Sequence, residues 1–557
     1  MQRVLDVPEL LGSVFDQSDR CTLTSLSRVS RSWNESANRR LWQNLDSLTS
    51  LFEILAPLEK KGSQIHFCEP ITSVTWRRFK FIASFVKSLT YDAHPVEASH
   101  PRSKDYALSK STFTDISIFK PSGDILPNLR QLDWKTDRAN DLDALMLFLS
   151  GSLRDLKITI QNNVTIPDDH TLRMIDMLSM RLPPLKSLSL RSPAPPAKAG
   201  PLIAQCISNC PTLEEVHLPP YHMVPQIVKA LGTLPSLKMS LVIWGYGEEF
   251  AGVGDQMEFR DGWFPQVEHL QFDTTLNRAI ELMNNPCRPP QVVYLTVSIR
   301  HFDEDHQQLK AFFAAVADAY VNLLMLTVNL LHQGGAPSRS ITFDVFRPAL
   351  ELHNLLGFEI SHNSPVALEQ SDIEEMAYNW PCLRTLRMCA DPVITLGMSE
   401  GLPLSSIECF AKSFPFINHL ALYVSAASIP TVVPYHLFNQ LQNLHIGTSP
   451  LTVKDIHPLA AFFCKLLNTK CTLMDGRSGW HPTHVIAANT EPTIPYEMRE
   501  ALWKEVTDIM ETAREGQREG EYRIGELEAE LEACRRQARE LQEKLDVCVS
   551  ESGSPFA

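Results

Sequence analysis

The sequence predicts an α/β chain. Three short helices come first. An irregular solenoid follows, with parallel strands on its concave side and helices on its convex side, and then a charged helix with a coiled-coil seam. Three observations predict this order. Apolar residues fall at spacings of three and four over residues 8–42. One short apolar pattern recurs from Val86 to Ile446. Beyond residue 495 the chain turns charged, with apolar residues every seven positions.

At the amino end, Pro8 in Val7-Pro8-Glu9-Leu10-Leu11 stands where a helix can begin, because its fixed φ suits a first turn that needs no N–H. Leu10, Leu11, Val14 and Phe15 then make one apolar stripe, and Ser18 or Asp19 caps a second helix. Leu23, Leu26, Val29, Trp33, Ala37 and Leu41 continue at helical spacing, with Trp42 beside them. Some forty residues are too few for an independent core, so this much apolar surface is expected to dock on something.

Residues 4–46 resemble the F-box motif, whose pattern runs approximately L-P-x-E-I-L, I-F, D-L-L, V-C-R-x-W and L-W. The matching residues are Val7, Pro8, Leu10 and Leu11, then Val14 and Phe15, then Leu23 and Leu26. Val29-Ser30-Arg31-Ser32-Trp33 and Leu41-Trp42 complete the match. Val7 replaces leucine, Ser30 replaces cysteine, and Asp19 stands four residues ahead of Leu23. The resemblance implies a Skp-type adaptor as partner. Pro8, Leu10, Leu11, Val14, Phe15, Leu26, Val29 and Trp33 are its contact candidates, some of which pack the three helices together instead.

The recurrent pattern is apolar, two residues, apolar, one residue, apolar. Cys382–Met388 shows it as Leu383, Leu386 and Met388. Other copies begin at Leu129, Leu153, Leu185, Leu213, Val267, Val292, Leu323, Leu355, Ile417 and Leu441. Val86-Leu89-Tyr91 precedes them, and Leu237-Leu241-Ile243 fits with one extra residue. Successive copies from Leu129 to Leu441 start 24 to 34 residues apart. Prolines such as Pro127, Pro211, Pro381 and Pro415 stand just ahead of several copies, where they end a helix and start an extended segment. Helical spacing fills the intervals, as in HQQLKAFFAAVADAY. Ala311–Leu331 is long enough to cross a bilayer. Asp318, Asn322 and Asn329 interrupt it, so it reads as a helix to about Tyr320 and then a buried strand.

Residues of about 70–475 resemble leucine-rich repeats, whose signature is L-x-x-L-x-L followed by Asn or Cys. Only the copy ending at Asn363 places asparagine three residues past the third apolar position, so an irregular arc is expected. Residues alternating with the core positions point to the concave side. They include Lys135 and Lys157, and, as target-binding candidates, His217, Trp244, His269, Tyr294, Arg387, His419, Tyr423 and His445. The surface reads as a solvated face or as a protein-recognition surface. The four histidines fall on different repeats, which does not suit a metal site.

The chain divides into residues 1–46 (F-box), 47–475 (repeats), 476–495 (a Pro- and Gly-containing linker), 496–549 (helical tail) and 550–557 (a disordered end). In the tail, Ile524, Leu531, Ala538 and Leu545 repeat every seven residues, as do Leu527, Cys534, Leu541 and Cys548. The seam suits self-association or a coiled-coil partner, and a single solvated helix is the alternative. The tail's 15 acidic and 9 basic residues give −6 of the chain's −14.

That acidity argues against nucleic acid as partner. The twelve cysteines show no C-x-x-C pair, and the amino end lacks a basic stretch followed by a long apolar one. The expected compartment is therefore cytoplasmic or nuclear, without a membrane span. No P-loop, dinucleotide fingerprint, nucleophile elbow or metal cluster is found, so neither an enzyme nor a cofactor is expected.

An F-box followed by leucine-rich repeats resembles the substrate receptors of Skp–cullin–F-box ubiquitin ligases, in layout those of mushroom-forming fungi. The resemblance implies a non-catalytic adaptor that reaches a cullin through the Skp-type protein and holds an unknown protein target near the transfer site. The alternative is a repeat scaffold outside any ligase.

Overall fold

The computed structural model describes residues 8–62, 64–93, 107–120, 123–161, 166–219, 224–242, 258–300, 302–303, 305–331, 340–362, 364–390, 392, 401–430, 438, 440–447, 449–468, 470–474, 498–516 and 535–536. Two compact units divide at Leu331/His332. The segments holding Asn363, Trp244, the linker and the heptad seam lie outside the described residues.

The first unit opens with helices α1 (Pro8–Asp16), α2 (Arg20–Leu26) and α3 (Arg31–Gln43). Local chemistry sets their starts. The Asp19 carboxylate caps α2 by accepting from Thr22 N at 2.7 Å, and Ser30 Oγ caps α3 by accepting from Trp33 N at 3.2 Å. These bonds to Thr22 hold the Asp19 carboxyl below its ordinary range.

α3 runs without a loop into strand β1 (Asn44–Leu45). Strands β2 (Ser88–Asp92), β3 (Gln131–Thr136), β4 (Asp155–Ile160), β5 (Ser187–Arg191) and β6 (Glu215–Leu218) follow. Then come β7 (Met239–Val242), β8 (His269–Thr274), β9 (Tyr294–Arg300) and β10 (Met325–Leu331). All are parallel and ordered as in the chain.

The second unit holds a parallel series of its own, β11 (Gly357–Ser361), β12 (Thr385–Met388), β13 (His419–Leu422), β14 (Asn443–His445) and β15 (Thr472–Met474). Every rung read from the pattern is present. β1 and β15 are additional rungs, too short for the full pattern: each contributes one core leucine, Leu45 opposite Leu89 and Leu473 opposite Leu444.

The prolines work through tight turns. In Leu126-Pro127-Asn128-Leu129, Cys210-Pro211-Thr212-Leu213 and Trp380-Pro381-Cys382-Leu383 the fourth N–H donates to the first carbonyl at 3.1 to 3.2 Å. Proline at the second position presets the φ such a turn needs. The residue after each turn then links to the next repeat. Its carbonyl accepts two successive N–H groups of the following strand, as at Arg130 from Arg154 (2.8 Å) and Asp155 (2.9 Å). Lys186, Glu214, Lys238 and Glu268 repeat the arrangement, and Arg384 and Asn418 do so in the second unit.

Along each strand one set of residues faces the helices and is buried: Leu132, Leu156, Leu188, Val216, Leu270, Leu295 and Leu326 share a row. One row departs from the sequence reading. Ser240, not Leu241, lies in register with Val216 and Leu270, and Val242 pairs with Leu218. The spacing there is regular, and the expected extra residue does not exist. Ser240 holds the register position of the row, so an apolar reading shifts the copy by one residue to Leu241.

Helices α4 (Thr49–Phe52), α5 (Ser73–Ala83), α6 (Lys110–Phe119), α7 (Ala139–Leu145), α8 (Asp168–Arg181), α9 (Pro196–Ser208), α10 (Pro225–Gly232), α11 (Leu276–Met283) and α12 (His306–Ala319) cover the first sheet's buried face. α12 and β10 account for Ala311–Leu331 as helix and strand. Among the described residues no helix is long and apolar enough to cross a membrane. In the second unit α13 (Phe343–Phe346), α14 (Gln370–Asn379), α15 (Ser405–Ser413) and α16 (Ile456–Leu466) play the same part.

The first turn of the tail helix, α17 (498–516), begins a cap on that unit's last repeat. Trp503 is buried, with its ring 6.3 Å from Phe463 and Nε1 donating to Ser449 O at 2.8 Å. Val506 and Met510 continue the buried stripe, and Arg514 donates to the turn carbonyls of Cys471 (2.8 Å) and Asn468 (3.2 Å).

Two outcomes are expected. Trp503→Ala removes a buried indole from the cap and should lower stability by about 3–5 kcal/mol in urea denaturation, with earlier proteolysis near α17. Asp141, buried at the start of α7, accepts from Thr136 Oγ1 at 3.2 Å, and burial pushes its carboxyl up. A carboxyl raised in the fold favours folding while protonated, and this contribution is lost as pH rises through its folded value. Asp141→Asn should therefore gain stability relative to wild type as pH rises from about 4 to neutrality, read by denaturation at both ends.

Candidate interaction surfaces

The small helical domain has its own core of Leu11, Phe15, Leu23 and Ala37, with Leu26, Trp33 and Leu41 packed at its margin. The Phe15 and Trp33 rings meet edge to face at 5.8 Å. Arg40 of α3 pairs with Asp16 of α1. Burial separates the eight adaptor candidates. Phe15 is 1% exposed and Leu11 is buried, so both hold the helices together. Val14 and Val29 face solvent at 50% and 61% exposure. Leu26 and Trp33 are half-buried. Pro8 and Leu10 lie in α1, and their side chains are outside the described set.

Val14 and Val29 are thus the candidates whose side chains are open to a partner. Helical periodicity alone does not separate Val14 from Phe15, because the stripe is wider than the core it covers.

The open face of the first sheet is set by strand alternation. Its amino-terminal rungs are polar. Lys135 Nζ lies 2.8 Å from Asp92 and Lys157 Nζ 2.7 Å from Asp133, so both expected lysines are paired across neighbouring rungs. A groove of about 530 Å³ lies here, lined by residues including Ser88, Thr90, Asp133, Asp155, Lys157, Ser189 and His217. Glu215 Oε2 stands 3.7 Å from His217 Nε2. Before these strands, Glu214 pairs with Lys186 (2.7 Å) and Lys238 (3.2 Å), and both bonds hold its carboxyl below the ordinary range. Farther along, His269 and Tyr294 occupy opposed register positions with rings stacked 4.0 Å apart. Partial burial holds the His269 imidazole below its ordinary value.

In the second unit His419 is exposed, with its Nδ1 2.9 Å from Asn443 Nδ2. Arg387 and His445 flank Ala421 by register but are buried, and so is Tyr423. Tyr423 leaves the alternation because β13 ends at Leu422. Its carbonyl then accepts from Leu402 N at 3.1 Å, turning the chain toward a side pairing of Val424–Ser425 with Leu402–Pro403. These three side chains thus offer little surface to a target. The histidines remain on separate rungs, and among the described residues no three His, Cys, Asp or Glu side chains gather as a metal site would need.

Residues 8–47 match the F-box-like family. The F-box-like domain therefore spans α1 to α3 and includes β1. No curated protein matches the chain in sequence. Among solved structures, the leucine-rich repeat-containing protein LegL7 from Legionella pneumophila is 11% identical, with 58% of this chain and 90% of that one covered and a TM-score of 0.28. The mouse RP105/MD-1 complex is 13% identical over 73% and 76% of the two chains, with a TM-score of 0.29. The repeat architecture itself rests on the strand register described above.

Phe15→Ala should cost the F-box-like domain about 3–5 kcal/mol and loosen α1 from α3. Hydrogen exchange should show lost protection confined to α1–α3.

Proposed function

We propose that this protein is a substrate-recognition adaptor of a Skp–cullin–F-box ubiquitin ligase. The observation that carries the reading is the F-box-like match at residues 8–47, in a domain whose Val14 and Val29 remain exposed after its core is filled. These valines, with half-buried Leu26 and Trp33, are the surface on which a Skp-type adaptor docks. Burying two valines contributes a few kcal/mol at about 25 cal/mol per Å².

The open sheet faces hold a protein target. Solenoids present such faces as extended recognition surfaces, and here the exposed positions vary from rung to rung while the buried row stays leucine-rich. The protein performs no bond chemistry. It brings target lysines close to a ubiquitin-loaded enzyme that the cullin delivers, which raises their effective concentration. It works in cytoplasm or nucleus, and its layout is that of fungal receptors.

Val14→Asp/Val29→Asp changes only exposed positions, so the fold should keep its denaturation midpoint. Purified wild type should co-elute with a recombinant Skp-type adaptor and the double variant should not. A folded wild type that fails to bind would leave the repeat scaffold as the better reading.

A further inference from the structure

A second exposed surface lies on α5, the first long helix after the F-box-like domain. A capping box of Thr72 and Thr75 starts this helix, and its inner face buries Trp76, Phe79, Ile82 and Ala83. The outer face carries Val74, Arg77, Arg78 and Phe81, at positions i, i+3, i+4 and i+7 of one stripe. Val74 is 73% and Phe81 50% exposed. Phe81 is held edge-on against Phe85 with ring centres 5.0 Å apart, so it stands in place before any partner arrives. Among the described residues no carboxylate pairs with Arg77 or Arg78. The helix carries Arg77, Arg78 and Lys80 and no acidic residue, in a chain of net charge −14. α5 also packs beside α3.

We infer that the outer face of α5 is a docking surface for a protein segment of opposite character: an acidic amphipathic helix. Its carboxylates reach the Arg77 and Arg78 guanidinium groups, and its apolar side chains cover Val74 and Phe81 about two helical turns apart. Arginine and an aromatic side by side are the residue types that dominate interface energetics, and the fork of donors suits paired carboxylates. Charge complementarity selects this occupant, because two arginines that no carboxylate among the described residues pairs with, flanked by apolar side chains, leave an acidic side chain as the natural partner. A membrane surface is the poorer fit. An interfacial helix needs a broad apolar face, whereas the apolar face of α5 is buried in the protein and only two large apolar residues point outward. This inference does not rest on the adaptor reading.

The test is fluorescence anisotropy of the full-length chain with a labelled amphipathic helical peptide of glutamate and leucine. Its lysine–leucine counterpart and phosphatidylserine vesicles serve as comparisons. The acidic peptide should bind, and binding should weaken as salt rises. Arg77→Glu/Arg78→Glu should reduce affinity by about tenfold or more, and Phe81→Ala by several-fold. Val14→Asp/Val29→Asp should bind the peptide as wild type does, which separates this surface from the F-box-like one. Equal binding by wild type and the arginine double variant would overturn the inference. So would equal binding of the basic peptide, loss of binding in the valine double variant, or capture of vesicles in place of peptide.

Discussion

Within each unit, most strands begin on a carbonyl supplied by the repeat before. That oxygen takes two successive N–H groups, and so fixes both the position and the register of the next rung. A parallel ladder cannot be nucleated by a tight hairpin, so within a unit a rung takes its place from its predecessor. The series starts in the helical domain, where the carbonyl of Gln43, the last residue of α3, accepts from Lys87 N at 2.8 Å. The F-box-like helices thus serve as the amino-terminal end of the sheet as well as a separate surface.

What varies is the opposite side of each repeat. Regular repeats satisfy their turns with a column of asparagines at one fixed position, whereas this chain uses asparagine at several rungs, Asn285 and Asn468 among them, and other donors elsewhere. Asn128 Nδ2 donates to Ser84 O, Asn209 Nδ2 to Ser179 O, and Trp380 Nε1 to Ala349 O. At the end of the second unit Arg514, from outside the repeats, does the same for Asn468 and Cys471. Buried carbonyls must be satisfied, but nothing demands that one residue type do it. This freedom lets repeat length range from 24 to 34 residues while the strands stay in register.

The strand rows were legible in the sequence because burial on the helix side demands an apolar residue at fixed intervals, and one slip would turn the whole row outward. The helix stripe of α1 to α3 was legible for the same reason. Burial within a stripe was not: Val14 and Phe15 are adjacent and both apolar, and only the packing of α3 on α1 decides which is covered. Ser240 shows the converse failure, since a polar residue at the row's register position breaks the pattern without breaking the strand. Arg387, Tyr423 and His445 read as surface by alternation, yet the turn after Leu422 and close neighbours bury them. The basic stripe of α5 was present in VTWRRFKF but was overshadowed by the buried tryptophan and phenylalanine in the same helix.

The direct passage from α3 into β1 has a geometric consequence. A helix advances about 100° per residue, so inserting or removing one residue between Trp33 and Leu45 would swing the exposed valines around the helix axis while the sheet stayed put. A loop would absorb such a change, but a seamless junction converts it into a misaimed surface. Length in this short stretch is therefore a phase variable. Outside the core positions Ala37 and Leu41 its side chains can be exchanged, but residues can be added or removed only in steps that return the helix to the same angle.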